Sequence, residues 1–292
     1  IMFMMNILFN VIATATSVVV AQYLGAKQYD KMNMIYTLSV IVNLVIGLVL
    51  SGVFAAANPF IMDFLHISDN MRRHAMVYIY IVGGTGFLMA VYNVMLQILR
   101  CNGYPKVGMY VTIAINFINI VGNYMFLYGP LELGVAGVAI STVAARTIAV
   151  IAVFAFFIYK KIGKIAIKYL RPFPGDFLLK MIKIGLPTAG ENLTYNLYQT
   201  TLLSFVNSMG EDATNARMYC NTLISFAMIF SNAAAMSTQI ITGHLVGAGK
   251  QDEAYKRVFK TLRISMPITI ALASINCILC RYTLAFFTEN EH

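Results

Sequence analysis

Long apolar runs, each ended by a short polar break, recur along this chain and predict helices rather than strands. They lie near residues 2–23, 34–58, 76–99, 107–128, 135–159, 184–209, 215–241 and 258–280. Each reaches the roughly 20 residues that an α-helix needs to cross about 30 Å of hydrocarbon. A transmembrane β-barrel would instead show short segments of alternating polarity. The pattern predicts an all-α polytopic membrane protein.

Composition strengthens that reading, with 59% hydrophobic residues and only 11% charged. Soluble domains of this length carry nearer a quarter charged. The charges that remain are sorted by side. Alternate connections, starting after the first run, hold Lys27 and Lys31, then Arg100 and Lys106, then Lys160, Lys161, Lys164, Lys168, Arg171, Lys180 and Lys183, then Lys250, Lys256, Arg257, Lys260 and Arg263. The opposite connections and the C-terminal tail hold Arg72, Arg73, Arg217 and Arg281 beside Asp63, Asp69, Glu132, Glu211, Asp212, Glu289 and Glu291. Basic residues accumulate on the side that is not translocated, so the first helix is expected to run from outside to inside. The same sorting accounts for the net charge of +9 without nucleic acid as a partner. The expected partner is the lipid bilayer.

Candidate chemistry of the enzymatic kind is sparse. Cys101, Cys220, Cys277 and Cys280 form no double pair, and His66, His74, His244 and His292 form no cluster at ligand spacing. A metal site of transition type is therefore not expected. No hydrolase or phosphate-loop motif is present either, so the chain reads as a non-enzyme without an organic cofactor. Its opening "IMFMMNILFN" reads neither as a signal peptide nor as a natural N-terminus.

One theme is written twice. "VVAQYLGAKQYDKM" at 19–32 and "ITGHLVGAGKQDEA" at 241–254 each follow a long apolar run, place Gly-Ala where the helix should stop, and turn charged before the next run. Glycine just past a helix end supplies the left-handed conformation that closes it. The flanks continue in parallel, with "LHISDN" after Phe64 and "FTENEH" after Phe286. Both copies fall in basic connections, so the halves are expected to be parallel repeats related by an axis along the membrane normal. Used as a ruler, the offset implies one further helix before residue 1 and three after residue 292. The expected whole is two six-helix bundles of which eight helices are here: residues 1–159 in the first, 184–292 in the second, and a basic cytoplasmic linker at 160–183. In that linker Pro172 and Pro174 break the chain. Asp176 is placed to cap a short surface helix whose Phe177, Leu178, Met181 and Ile182 face lipid while Lys180 and Lys183 face headgroups.

Six segments in order, "VAQYLGAKQYDKM", "ILRCNGYPKVGM", "INFINIVGNYMFLYG", "GVAGVAISTVAART", "IGLPTAGENL" and "GHLVGAGKQDEA", resemble the multidrug and toxic compound extrusion family. The resemblance implies a twelve-helix antiporter with a V-shaped cavity between two lobes. Such a protein expels small organic, often cationic, compounds from a bacterial cell across the plasma membrane in exchange for Na⁺ or H⁺, and it is expected to act as a monomer. Two other classes fit the residues less well. A flippase for lipid-linked saccharides would want several cations in its cavity, and a non-transporting receptor or scaffold would have little use for repeat symmetry.

Ionisable groups inside spans are costly and mark function by default. Two stand out, Glu191 and Arg146. Glu191 heads a polar stripe that continues through Asn192, Thr194, Tyr195, Asn196, Tyr198 and Gln199, with Glu191, Tyr195 and Tyr198 on one face. A carboxylate among amide and hydroxyl oxygens suits a desolvated Na⁺, and burial would alternatively favour a bound proton. Glu191, Asn192, Tyr195 and Gln199 are thus candidates for ion coupling, and Pro187 offers a place for the helix to bend. The plain alternative is hydrogen bonding across helices. In many relatives the acidic residue of this helix sits one turn later, where Tyr195 stands here, and in another branch it is an Asp of a first helix that has no counterpart in this chain. Arg146, where relatives commonly carry an amide, should have an anionic partner: Glu191, a carboxylate of that first helix, or an anionic substrate group. Asn116, Asn119 and Asn123 form one seam that either packs on a neighbour or lines the cavity. The candidate substrate cavity is Arg146, Asn119, Asn123, Asn196 and Tyr198, with abundant Met, Phe and Tyr to suit varied apolar ligands.

Overall fold

The computed structural model describes residues 2–60, 69–128, 133–171 and 173–285. Asp63, His66, Glu132, Pro172, Glu289, Glu291 and His292 lie outside the described residues, as do most of the two flanks compared above. The elements are α1 (Met2–Gly25), α2 (Tyr29–Ala56), α3 (Asp69–Tyr78), a π-helical turn (Ile79–Gly83), α4 (Gly86–Cys101), α5 (Pro105–Tyr128), α6 (Gly134–Tyr159), a 3₁₀ turn (Ile167–Leu170), α7 (Gly175–Asn207), α8 (Glu211–Gly247) and α9 (Gln251–Ala285). No strand occurs among the described residues. Five helices are each long and apolar enough to cross a membrane, and two bent pairs raise the number to seven. The remaining long helix, α7, falls short of that measure of apolarity because it carries the polar stripe.

The chain forms two compact units, residues 1–188 and 189–292. In the first, α4 packs against both α1 and α2, and α6 covers it together with the π turn. Phe9, Val19, Ile35, Leu38, Met95 and Ile98 fill the centre and are fully buried. Some polar side chains of this interior bond to their own helices: Thr37 to the Asn33 carbonyl at 2.7 Å and Asn43 Nδ2 to the Ser39 carbonyl at 2.9 Å. An unmet polar group in hydrocarbon costs several kcal/mol, roughly, and this local bonding offsets it for those groups, whereas Thr16 Oγ1, Ser39 Oγ and Asn43 Oδ1 have no partner among the described residues. In the second unit α8 pairs with α9, joined by Ser231 and Thr269 hydroxyls 2.6 Å apart and by Thr238 donating to Thr261 at 3.0 Å.

Three local outcomes differ from the sequence reading. The third span is not one helix: α3 and α4 meet at 41° across the π turn. Thr85 bonds back to the Ile81 carbonyl at 2.7 Å, and the Phe87 amide donates to Ser51 Oγ at 3.0 Å, so groups freed by the break are recovered. Second, the short surface helix expected at 176–183 is the first two turns of α7, which runs on through Pro187. Its Phe177 and Met181 do not face lipid. The Phe177 ring lies 5.0 Å from that of Tyr23 on α1, Lys180 Nζ sits 5.0 Å over the same Tyr23 ring, and Met181 is buried. Burying an i, i+4 pair against a neighbouring helix removes more apolar surface from water than lying at the headgroups would.

Third, the repeated Gly-Ala joint closes differently from expectation. Gly25 and Gly247 are the last helical residues, and the left-handed residue comes two positions later, at Lys27 (φ 55°) and Gly249 (φ 76°). Both joints use the same three backbone bonds. Ala26, Lys27 and Gln28 donate to Gln22, Leu24 and Tyr23; Ala248, Gly249 and Lys250 donate to His244, Val246 and Leu245. The bond spanning five residues is the signature of a Schellman closure. α4 and α6 end on the same pattern, with Gly103 (φ 86°) and Lys161 (φ 49°) in the left-handed position.

The segment after α6 is a strap held on α2. The Lys164 amide donates to Asn33 Oδ1 at 2.7 Å and the Ala166 amide to Thr37 Oγ1 at 3.2 Å. Gly163 passes so close that a Cβ there would lie 2.9 Å from both Asn33 Oδ1 and the Tyr36 ring. Only glycine lets the strap lie this flat.

Candidate functional site

The second unit begins two residues before the polar stripe of α7, and the helical period arranges that stripe in two ways. Glu191, Tyr195 and Tyr198 stand exposed on one face, the two rings 6.4 Å apart. Asn192, Asn196 and Gln199 are half-buried. Asn196 spends its amide nitrogen on the Asn192 carbonyl at 2.7 Å, and Thr194 its hydroxyl proton on the Gly190 carbonyl at 2.9 Å. Those bonds leave the Asn196 amide oxygen, one of its two N–H groups and the Thr194 oxygen lone pairs for a ligand. Gln199 Nε2 donates to the Tyr195 hydroxyl at 2.7 Å and Gln199 Oε1 accepts from Arg217 Nη2 at 2.9 Å.

Arg217 is the member of this network that sequence reading placed in an outer connection and passed over. It stands in the second turn of α8. The tight Ser208–Gly210 turn, with Gly210 at φ 115°, links α7 to α8 and lets Arg217 reach Gln199. Gln199 lies about 2.5 turns before that turn and Arg217 about two turns after it, at 3.6 residues per turn. Similar distance from the turn was the signal that could have paired them.

The asparagine seam of the first unit has another character. Asn123 Nδ2 donates to Asn119 Oδ1 at 2.9 Å, Asn119 Nδ2 to Thr142 Oγ1 of α6 at 3.4 Å, and Ser141 Oγ to the Asn119 carbonyl at 3.5 Å. At the same level a Cβ on Gly122 would collide with the Ser141 side chain, so the two backbones approach closely. Small residues and bonded polar groups at a close crossing are the usual glue between membrane helices. Asn116 lies outside the seam, exposed on α5.

Arg146 stands midway along α6, half-buried, in electrostatic range of Tyr78 at the end of α3. Among the described residues no hydrogen bond or ion pair involves it. It belongs to the first unit, whereas Glu191 belongs to the second. No group of three or more His, Cys, Asp or Glu that could hold a metal occurs among the described residues.

A family model described as MatE matches residues 1–125 and 187–292, well over half of the chain. The chain belongs to the MatE family. The Glu191 stripe and Arg217 fall within the MatE match, and Arg146 falls between its two segments. The chain is 35% identical over 289 residues, 97% of its length and 63% of the other's, to the uncharacterized transporter YisQ of Bacillus subtilis. It is 26% identical over 247 residues, 81% of its length and 51% of the other's, to the probable multidrug resistance protein NorM of Thermotoga maritima. A solved MOP superfamily transporter from Pyrococcus furiosus shares the fold at a TM-score of 0.88, with 20% identity, over 99% of this chain and 65% of the other. For that protein a reverse polarity of the binding pocket is described as suggesting a different function. The chain thus spans between half and two thirds of the length of these MatE relatives.

Proposed function

We propose that the protein to which this chain belongs is a secondary antiporter that exports small organic, mostly amphipathic compounds across the plasma membrane in exchange for Na⁺ or H⁺. Family membership supports transport, and the name of the Thermotoga relative supports drug-like substrates. The observation that carries the coupling role is the Glu191 face of α7. An ionisable group on a membrane helix, with no hydrogen bond or ion pair among the described residues, stands exposed on the face it shares with Tyr195 and Tyr198.

Carboxylate and hydroxyl oxygens are what a hard monovalent cation accepts in place of water, and the carboxylate alone could instead take a proton. Either event removes one negative charge from the α7 face. That loss of charge lowers the cost of bringing the face against apolar surface, which is how ion binding would bias one access state over the other. Pro187, four residues before Glu191, cannot donate to the Lys183 carbonyl, so the helix is softened one turn ahead of the site. Arg217, through Gln199, orients the Tyr195 hydroxyl so that its proton points away from that bond and its oxygen stays an acceptor for Gln199. Asn119 and Asn123 hold α5 to α6 through the seam, and on the α7 face Tyr198 and Asn196 offer an aromatic ring and an amide to a substrate.

Arg146 favours a second reading of the substrate: a cationic side chain without an ion pair among the described residues suits compounds with an anionic group. Direct transport decides the coupling. In the complete protein reconstituted in vesicles, Glu191→Gln should reduce export driven by an imposed Na⁺ or H⁺ gradient to background with insertion unchanged. Full gradient-driven export by that variant removes Glu191 from the mechanism.

A further inference from the structure

A cavity of the first unit lies away from every residue given a transport role above. It holds about 940 Å³ between the ends of α2, α4 and α6 and the strap that follows α6. Its inner wall is aromatic and aliphatic, with Met32, Phe154, Phe157 and Ile162. Its charged lining is cationic only: Lys161 and Lys164 are exposed on the strap, and beside them the Asn33 amide nitrogen makes no hydrogen bond among the described residues. Asn102, also on the wall, is already used, accepting from the Tyr36 hydroxyl at 2.9 Å and donating to the Ile98 carbonyl at 2.7 Å. No acidic side chain lines it.

The site is built and not incidental to a loose loop. The strap is pinned by Asn33 and Thr37, Gly163 lies against Tyr36, and the Tyr36 and Phe157 rings meet edge-on at 5.6 Å to form the floor. The left-handed turn at Lys161 sets the strap's course as it leaves α6. Basic residues on this connection belong to the side where the positive-inside rule puts the cytoplasm, facing a leaflet rich in anionic lipid. An apolar chamber at the level of the headgroups, with two ammonium groups and an amide donor at its mouth, is complementary to one kind of molecule.

The geometry points to a binding site for an anionic membrane lipid, its headgroup phosphate held by Lys161, Lys164 and Asn33 and part of an acyl chain in the chamber. An occupant would join the strap to α2 and α6 and so stiffen the connection that leads into α7.

The test uses the purified complete protein in neutral detergent, titrated with phosphatidylglycerol, with phosphatidylcholine of the same chains, or with inorganic phosphate. Bound lipid is counted by native mass spectrometry, and Tm is followed alongside. Phosphatidylglycerol should bind in one-to-one ratio and raise Tm. Lys161→Gln or Lys164→Gln should each weaken it about fivefold, and the pair about thirtyfold, as about 1 kcal/mol per basic residue at a membrane surface implies. Lys256→Gln with Arg263→Gln, which removes as much charge from α9, outside the cavity, should leave it unchanged. Ile162→Trp should block the chamber without changing charge. Its own Tm without lipid reports whether it folds, and the lysine variants test the proposal independently of it. Equal binding of phosphatidylcholine, undiminished binding by the lysine pair, or saturation by phosphate alone would each overturn the proposal.

Discussion

Two polar seams cross the membrane part of this chain, and they solve the cost of polarity in opposite ways. On α5 and α6, Asn119, Asn123, Thr142 and Ser141 bond to one another where the backbones approach most closely. On α7, Glu191, Tyr195 and Tyr198 stand exposed, and only the far edge of the stripe is tied down, through Gln199 and Arg217. The first arrangement spends donors within the seam, with only Asn123 Oδ1 buried there without a partner among the described residues, and holds two helices together. The second keeps oxygens open, at an energetic cost that packing alone does not justify. The lesson is that a polar stripe in a span is informative less by its residue types than by whether its groups are already satisfied.

The largest expected effect separates the seams outright. Glu191→Gln should eliminate gradient-driven export while leaving Tm within a degree or two. Asn119→Ala should do the reverse. Leaving Asn123 Nδ2 without its acceptor, it should cost about 1 kcal/mol of stability, in the range of measured interhelical bonds, with export per folded molecule nearly unchanged. A smaller effect belongs to Arg217→Ala. Losing the bond to Gln199 frees the Tyr195 hydroxyl to turn, and apparent affinity for the driving ion should fall about tenfold, about 1.4 kcal/mol, with little change in maximal rate. Arg217→Lys should restore part of it. A loss of maximal rate at constant affinity would instead make Arg217 a structural contact.

The smallest effect concerns the four matching helix ends. Two use glycine at the left-handed position, and two use lysine, at Lys27 and Lys161. A side chain there costs about 1 kcal/mol, so Lys27→Gly should raise Tm by a few degrees at most, read by thermal unfolding in detergent. Gly249→Lys should lower it by a similar amount.

Much of the fold was legible in the sequence because apolar runs of membrane length leave few alternatives. The helix ends near residues 25, 101, 159 and 247 could be read from polar breaks and from Gly-Ala. Most of what escaped was set by tertiary contact. The break between Tyr78 and Gly86 is the exception: no proline marks it, but Gly83-Gly84-Thr85-Gly86 is a breaker cluster inside the apolar run. The strap is held by Asn33 and Thr37, which read in sequence as two more polar residues on a helix end. Phe177 and Met181 suit a lipid surface or a neighbouring helix equally well, and only the packing against Tyr23 chooses between them. The Glu191 stripe could be found from residue type alone, whereas Arg217 needed the turn between α7 and α8, since 18 positions separate it from Gln199.

The most direct measurement of the central claim sets the two seams side by side. Glu191→Gln and Asn119→Ala versions of the complete protein, reconstituted at equal density, are given the same ion gradient and the same fluorescent substrate. The account predicts no gradient-dependent export from Glu191→Gln and export near the unmodified rate per folded molecule from Asn119→Ala. Retained export in the first with lost export in the second would contradict it.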